Sequence, residues 1–148
     1  MLPAPDQHSR PDNLHVAFTA TPLAVRESLA QMLALPPLCL LTDEARGTAE
    51  LVLAEVLNNV AEHAYADTAG QVTVSLGPTD RGLHCRIVDQ GRAMPNGALP
   101  DGRLPGGADM PLEDLPEGGF GWHLIRSLTT DLNYSRVDGC NDLQFTLP

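Results

Sequence analysis

One stretch of the sequence, Glu50–Tyr65 (ELVLAEVLNNVAEHAY), limits the possible folds more than any other. Apolar residues recur along it at the spacing of a helix face turned toward a core, namely Leu53, Val56, Leu57, Val60 and Ala64. Glu55, Asn59 and His63 follow at intervals of four residues on the opposite side of the same helix. The stretch therefore predicts a buried helix that also carries a row of polar groups.

Two explanations fit this polar row. A carboxylate, an amide oxygen and an imidazole aligned on one helix can supply a general base, a ligand for a hard cation and a positioning group for phosphate chemistry. A solvated helix face produces the same pattern, and Glu62 beside the row fits that explanation. Amphipathic helices outnumber catalytic ones, so the stretch alone favours a solvated face.

Composition limits the possible partners. The 148 residues fall in the size range of one domain that can bury a core. The formal net charge of −10 at pH 7 argues against direct binding of nucleic acid, because neutralising phosphates requires clustered cations. The same charge suits a partner with a basic surface, and it fits mere solubility equally well.

Cysteine use and apolar runs indicate the compartment. The three cysteines, Cys39, Cys85 and Cys140, lie far apart without metal-ligand spacing, which predicts a reducing, cytoplasmic environment. Residues 1–13 lack the pattern of a signal peptide and are expected to form a flexible polar leader. The longest apolar run, Leu33–Leu41, is interrupted by prolines and is too short to cross a bilayer, so we expect a soluble protein without a membrane contact.

Periodicity and turn signals predict the order of the elements. A strand begins at Leu14, and Thr21 then caps a first helix that ends near Ala34. The apolar face of that helix is expected to comprise Leu23, Leu29, Met32 and Leu33. Thr42 or Asp43 caps the second helix, which runs to Tyr65.

Two hairpins and a third helix complete the prediction. The first hairpin joins Gln71–Leu76 to Leu83–Val88 through a loop at residues 77–82. A helix at Trp122–Thr130 precedes the second hairpin, whose strands Leu132–Val137 and Leu143–Leu147 flank a turn at residues 138 and 139. This order predicts an α+β fold in one domain over residues 14–148, a two-layer α/β sandwich with helices on one face of a mainly antiparallel sheet.

A long segment between the hairpins has a different character. From Arg92 to Gly118 the sequence is rich in proline, glycine and acidic residues and shows little periodicity. A loop of this length within a compact domain is usually either functional or disordered. We therefore keep two predictions for residues 92–118, a lid over a ligand and a disordered insertion.

Three motifs follow one another in the chain. The second helix carries Glu55 and Asn59 as Glu-x-x-x-Asn, a strand ends in Asp89-Gln90-Gly91, and Gly118-Gly119-Phe120-Gly121 opens the third helix. Each motif alone is a weak signal. In this order they supply the parts of a nucleotide site.

These residues have distinct expected roles. Asp89 can accept a hydrogen bond from the adenine amino group, Gly91 can let the backbone approach the base, and Asn59 can hold Mg²⁺ through its amide oxygen. Gly119 and Gly121, at a helix N-terminus, can expose N–H groups to the phosphates of ATP.

The three motifs together resemble the ATP-binding domain shared by DNA gyrase, a heat-shock chaperone, histidine kinases and MutL, known as the Bergerat fold. Within it the chain is most similar to the small anti-sigma-factor serine/threonine kinases of bacterial partner-switching systems. The resemblance runs from the first strand to the final hairpin. Glu55–Tyr65 is similar to the N box of that family, Val88–Arg92 to its adenine-binding box, and Gly118–Arg126 to its second glycine box.

The resemblance implies an activity. It implies that Glu55 is a general base, that Asn59 is a Mg²⁺ ligand, and that the chain uses ATP and Mg²⁺ to phosphorylate a serine or threonine of an anti-anti-sigma (STAS-type) antagonist. In its other state the chain would hold a sigma factor, and a homodimer is implied as well. The sequence departs from the family pattern after Arg92, and Arg92 and Arg103 are both candidates for a phosphate contact from the lid.

Two alternative functions stay open. A nucleotide-gated binding module would sequester a partner without phosphoryl transfer. A detached histidine-kinase catalytic domain is disfavoured, because the chain has no pair of helices that could accept a phosphoryl group. His63 lies within the first motif, and we expect it to pack beside Tyr65.

Overall fold

The computed structural model describes residues 13–66, 68–101 and 119–148, with the backbone alone at residues 119 and 120. In chain order the strands and helices are β1 (Leu14–Thr19), α1 (Pro22–Leu33), α2 (Asp43–Asn59), β2 (Gln71–Thr79), β3 (Gly82–Asp89), α3 (Gly119–Leu128), β4 (Thr130–Val137) and β5 (Cys140–Leu147). Residues 1–12 of the predicted leader and 102–118 of the predicted lid lie outside the described residues. The predicted order of strands and helices is confirmed.

The five strands form one sheet in the order β1-β2-β3-β5-β4, and every neighbouring pair is antiparallel. Helix α2 packs against both α1 and α3. Inward residues of the strands and buried residues of the helices form a single hydrophobic core. The predicted α+β sandwich is therefore confirmed.

The core lies between the inward face of the sheet and the buried faces of the helices. Phe145 of β5 and Leu53 and Leu57 of α2 are fully buried, as is Met32 of α1. Each such side chain stabilises the fold by about 1.5–3 kcal/mol relative to an exposed position. These contacts fix α2 over the sheet, and the end of α2 reaches the ends of β3 and β5.

None of the helices in the described part of the chain is long and apolar enough to cross a membrane.

Both predicted N-caps are confirmed. The hydroxyl of Thr21 accepts a hydrogen bond from the N–H of Ala24 at 3.1 Å, and Thr42 accepts one from Ala45 at 3.2 Å. The predicted position of Leu23 on the apolar face of α1 is wrong, because Leu23 is 62% exposed. The buried face of α1 starts instead at Val25 and continues at the spacing of three and four residues, which turns residue 23 away from the core.

The two hairpin turns differ in how well the sequence predicted them. The turn at Asp138 and Gly139 is confirmed, and both residues have the positive φ of a tight hairpin turn. The predicted six-residue loop at 77–82 is wrong. Cross-strand pairing continues through Gly77 and Pro78 to a final pair between Thr79 and Gly82, so only two residues form the turn.

The last turn of the predicted second helix has a different geometry. The chain is α-helical to Asn59, and Val60–Ala64 then forms a π-helical turn. The N–H of Tyr65 closes this turn by donating to the carbonyl of Val60 at 3.1 Å. Such wide turns are often found at functional sites, and this one borders the cavity described next.

Candidate functional site

A cavity of about 500 Å³ opens where the end of α2 meets the ends of β3 and β5. Its apolar lining includes Val56, Ile87, Met94, Trp122 and Leu143. Its polar lining includes Asn59, His63, Asp89 and Asn141. A mostly apolar cavity of this size with a few convergent polar groups is typical of a small-molecule site.

Asp89 is the buried charge of this cavity. It is the last residue of β3, points inward and is only 5% exposed. Its Oδ1 accepts hydrogen bonds from the Gly91 N–H and from Asn141 Nδ2, both at 2.8 Å. Its Oδ2 accepts none from the described residues. Asp89 therefore offers one acceptor oxygen beside apolar walls, which suits a ligand that donates an N–H.

The ionisation of Asp89 reflects two opposing effects. Burial raises the pKa of the carboxyl above its ordinary value because the charged form loses hydration. The hydrogen bonds from Asn141 and Gly91 and the positive charge of Arg136 lower that pKa in part. Burial is the larger effect, so the pKa of Asp89 stays above its ordinary value, and the hydrogen bonds and Arg136 offset only part of the cost of the charged form.

Gly91 joins the strand end to the helix end. A side chain at Gly91 would place its Cβ 2.7 Å from the carbonyl carbon of Ala64, and the next residue, Arg92, donates its N–H to the Ala64 carbonyl at 2.9 Å. Gly91 itself is absent from the residues that line the cavity. The structure gives Gly91 a packing role, and the approach of its backbone to a base stays a prediction.

Tyr65 holds the same junction from the other side. Its buried hydroxyl donates to the carbonyl of Gln71 at 2.8 Å and accepts from the N–H of Gln90 at 2.7 Å. Burial raises the pKa of this phenol, so it stays a neutral donor at physiological pH. The π-helical turn is thereby fastened to the ends of β2 and β3.

Asn59 lines the cavity and carries an unsatisfied polar group. Its Nδ2 is buried and has no hydrogen-bond partner among the described residues. A buried N–H donor without a partner costs about 1–3 kcal/mol, and here it belongs to a residue that lines the cavity. Within the described residues no three His, Cys, Asp or Glu side chains cluster as a metal site. An oxygen of the Asn59 amide suits Mg²⁺ that takes its other ligands from phosphate and water.

Glu55 lies one turn before Asn59 and faces the start of α3. A Cβ on Gly121 would lie 2.6 Å from Glu55 Oε2, so the missing side chain leaves room for this carboxylate. Gly119 and Gly121 are the first and third residues of α3, which begins and ends earlier than the predicted helix Trp122–Thr130, and N–H groups in a first turn lack intrahelical acceptors. Neither Glu55 nor Gly121 lines the cavity, but their chain neighbours Val56 and Trp122 do.

His63 departs from the predicted row. Its side chain is 66% exposed, and its Nε2 lies 4.0 Å from Glu62 Oε2. The expected packing beside buried Tyr65 is wrong, because the π-helical turn changes the spacing after Asn59. The row therefore divides: Glu55 and Asn59 are partly buried at the site, and His63 is solvated at its mouth.

Comparison with known proteins assigns the fold to a family. A model of the histidine kinase-like ATPase domain matches residues 18–147, most of the chain. The chain belongs to this family. The resemblance drawn from the three motifs is thereby confirmed, and the family description identifies ATP as the nucleotide such a domain uses.

Several relatives of this histidine kinase-like ATPase domain share one name. The serine-protein kinase RsbW of Bacillus mycoides strain KBAB4 and that of a Bacillus cereus strain are each 28% identical over 90 residues. The protein of the same name from Bacillus thuringiensis strain Al Hakam is 27% identical over 90 residues. Each match covers 61% of this chain and 56% of the relative, so the chain spans little more than half the length of these relatives.

A polar network in this histidine kinase-like ATPase domain was not predicted from the sequence. Asn141 pairs with Asp89 across β3 and β5, and it also contacts Tyr134 and Arg136 of β4. One signal was present in the sequence. Asn141 precedes Leu143, Phe145 and Leu147 at a spacing of two, which places an amide in an inward, apolar row.

Proposed function

We propose that this chain binds Mg-ATP in the cavity and transfers a phosphoryl group to a serine or threonine of a partner protein. The partner would be a STAS-type anti-anti-sigma protein, and in its other state the chain would hold a sigma factor. The observation that carries the proposal is the buried Asp89, which keeps one oxygen free at the wall of an apolar cavity. Membership of an ATPase-domain family supports ATP as the donor of the phosphoryl group.

The base end of the site would recognise adenine. Asp89 Oδ2 would accept from the exocyclic amino group, and Val56, Ile87 and Leu143 offer apolar surfaces to the ring. A charged acceptor strengthens such a hydrogen bond, and the low local dielectric strengthens it further. Recognition of the base would thus combine one directional bond with apolar burial.

The phosphate end would use Asn59 and the start of α3. The Asn59 amide would hold Mg²⁺, and the N–H groups of Gly119 and Gly121 would bind phosphate oxygens at the positive end of the helix dipole. Mg²⁺ supplies positive charge that neutralises the phosphates during transfer. These roles need no movement of α2, because Asn59 already lines the cavity.

Glu55 would act on the incoming hydroxyl. Its carboxylate lies against Gly121, next to the helix start proposed to hold the phosphates. A carboxylate in that place can orient the hydroxyl and accept its proton. Asn59 and Glu55 would thus divide the work, one holding the nucleotide and the other preparing the nucleophile.

The proposed partner proteins are inferred from sequence similarity and from net charge. The relatives are named serine-protein kinases, which supports phosphoryl transfer to serine. The resemblance to anti-sigma-factor kinases supports the sigma factor, the STAS-type antagonist and a homodimer. A net charge of −10 suits a partner with a basic surface.

A phosphorylation assay with labelled ATP tests the proposal. The chain would be incubated with purified STAS-type proteins, and label in the STAS protein would be measured. Glu55→Gln should lower transfer by about 10²–10⁴-fold while ATP binding persists, because the carboxylate acts only on the hydroxyl. Glu62→Gln, an exposed carboxylate on the next turn, serves as the matched control and should transfer normally.

The assay also separates the alternatives. If the chain binds ATP but labels no STAS protein, it is a nucleotide-gated binding module. If Glu55→Gln transfers as fast as the unaltered chain, the proposed role of this carboxylate is wrong.

A further inference from the structure

Three polar residues form a row across three strands on the inward side of the sheet. Asp89 of β3 pairs with Asn141 of β5, and Asn141 pairs with Arg136 of β4. A carboxylate, an amide and a guanidinium thus stand side by side at the end of the sheet that borders the cavity. The middle member, Asn141, is only 6% exposed.

The Asn141 amide uses its full hydrogen-bonding capacity. Its Oδ1 accepts from the Tyr134 hydroxyl at 2.6 Å and from Arg136 at 2.9 Å. Its Nδ2 donates to Asp89 Oδ1 at 2.8 Å and to the Arg92 carbonyl at 2.7 Å. Arg136 can only donate and a carbonyl can only accept, so the amide cannot be turned over.

This arrangement fixes the carboxylate of Asp89. Oδ1 is occupied by two donors, the Gly91 N–H and Asn141 Nδ2, so the plane of the carboxylate is set and Oδ2 is turned to the remaining side. The Asn141 hydrogen bond also lowers the pKa of a carboxyl that burial raises. Without Asn141, one donor would remain to hold Oδ1, and the carboxyl could turn or bind a proton.

We propose that Asn141 is a positioning residue that makes the cavity select a 6-aminopurine, such as adenine, over a 6-oxopurine. The inference rests on the proposed function, because it concerns the same nucleotide. A 6-oxopurine places an oxygen where adenine has its amino group, with a ring N–H beside it. A fixed carboxylate is repelled by that oxygen, whereas a carboxylate free to turn can accept from the ring N–H or donate a proton to the oxygen.

Paired titrations with ATP and inosine triphosphate test this role. The two nucleotides carry the same phosphates, so the ratio of their Kd values reports recognition of the base. In Asn141→Leu the preference for ATP should fall about tenfold, the effect of weakening one charged hydrogen bond. A purely structural defect would weaken the binding of both nucleotides alike and leave the ratio unchanged.

Two further variants keep the test independent of folding. Tyr134→Phe removes one donor to Asn141 Oδ1 and retains the ring, so the ratio should fall in the same direction by a smaller factor. Gln144→Leu is the matched control, because Gln144 is an amide on β5 that contacts His84 and Asp142 away from this row. Its ratio should equal that of the unaltered chain.

The outcomes distinguish the two proposals. If the unaltered chain binds ATP tightly and both Asn141→Leu and Tyr134→Phe keep its ratio, the role of Asn141 is overturned and the proposed function stands. If the unaltered chain binds neither nucleotide, the proposed function and the selectivity are both overturned.

Discussion

Strands β3 and β5 carry a polar cluster on each face of the sheet, and the two clusters differ in their surroundings. The outward cluster joins Arg86 to Asp142 by a two-pronged ion pair, with Nη2 and Oδ2 at 2.7 Å. The inward cluster joins Asp89 to Asn141 at 2.8 Å. Arg86 is exposed, whereas Asp89 and Asn141 are buried at the cavity.

Similar hydrogen bonds therefore have different consequences on the two faces. Water solvates the outward pair whether or not it forms, so exposed ion pairs contribute about 0–1 kcal/mol. Burying a carboxylate is unfavourable unless hydrogen bonds replace its water, and Asp89 keeps one oxygen without such a bond from the described residues. The stability of the fold does not require a buried carboxylate oxygen without a hydrogen bond. A ligand that donates an N–H to Asp89 Oδ2 would supply that bond.

Gly91→Ala should disturb the inward cluster most. The new Cβ would overlap the backbone of Ala64, so either the strand end or the π-helical turn must shift and displace Asp89. We expect a loss of about 2 kcal/mol in the free energy of unfolding, in the range measured for overpacked sites. Chemical denaturation measures this loss, and ATP affinity should fall with it.

The same substitution elsewhere provides the control. Gly47 lies within α2, and a Cβ there would meet nothing within 4 Å. Gly47→Ala should raise the free energy of unfolding by about 0.5–1 kcal/mol, because alanine favours a helix. Equal effects at the two positions would contradict the close packing at Gly91.

As pH falls, ATP binding should weaken at a higher pH than the pKa of an ordinary aspartate would suggest. Burial raises the pKa of Asp89, so as pH falls the carboxyl binds a proton and loses its acceptor charge while ordinary aspartates are still ionised. Affinity should fall about tenfold across that transition, as for other charged hydrogen bonds. Titration calorimetry over a pH series measures it.

Substitutions show whether Asp89 or a neighbouring group causes this acid transition. Arg136 faces Asp89 from β4, Tyr65 from the end of the π-helical turn, and His63 lines the same cavity. His63→Gln should keep the acid transition, and Asp89→Asn should abolish it. A transition that persists in Asp89→Asn would assign it to another group.

Asp142→Asn should have the smallest effect. It replaces the outward ion pair by a neutral contact with Arg86, and we expect a loss of about 0.5–1 kcal/mol, because the pair is partly exposed to solvent. Thermal unfolding should shift only slightly, and nucleotide affinity should stay the same. A large change in affinity would mean that the outward face also belongs to the site.

Much of the fold could be predicted because apolar periodicity reports burial directly. The predicted strand Leu143–Leu147 lies within β5, and its alternating residues Leu143, Phe145 and Leu147 are all buried. Turn signals were less reliable, since pairing with β3 carried β2 through Gly77 and Pro78. Turn propensity describes each residue alone, whereas pairing with β3 decided that Gly77 and Pro78 lie in a strand.

The site could be predicted only in part. Asp89 and Asn59 belong to short motifs, and both line the cavity. The pairing of Asn141 with Asp89 became visible only with the strand register, because the two residues lie 52 positions apart along the chain. The π-helical turn at Val60–Ala64 likewise depends on contacts between Ala64 and Arg92 that no local pattern encodes.

Calorimetric titration of Mg-ATP into Asp89→Asn tests the central claim most directly. The two donors at Oδ1 would retain the amide oxygen there, so the new NH₂ would face the cavity and meet the adenine amino group. Affinity should fall by about 1.5–3 kcal/mol, while Asp142→Asn binds normally. Tight binding by the unaltered chain with the same affinity in Asp89→Asn would contradict the assignment of this cavity to ATP.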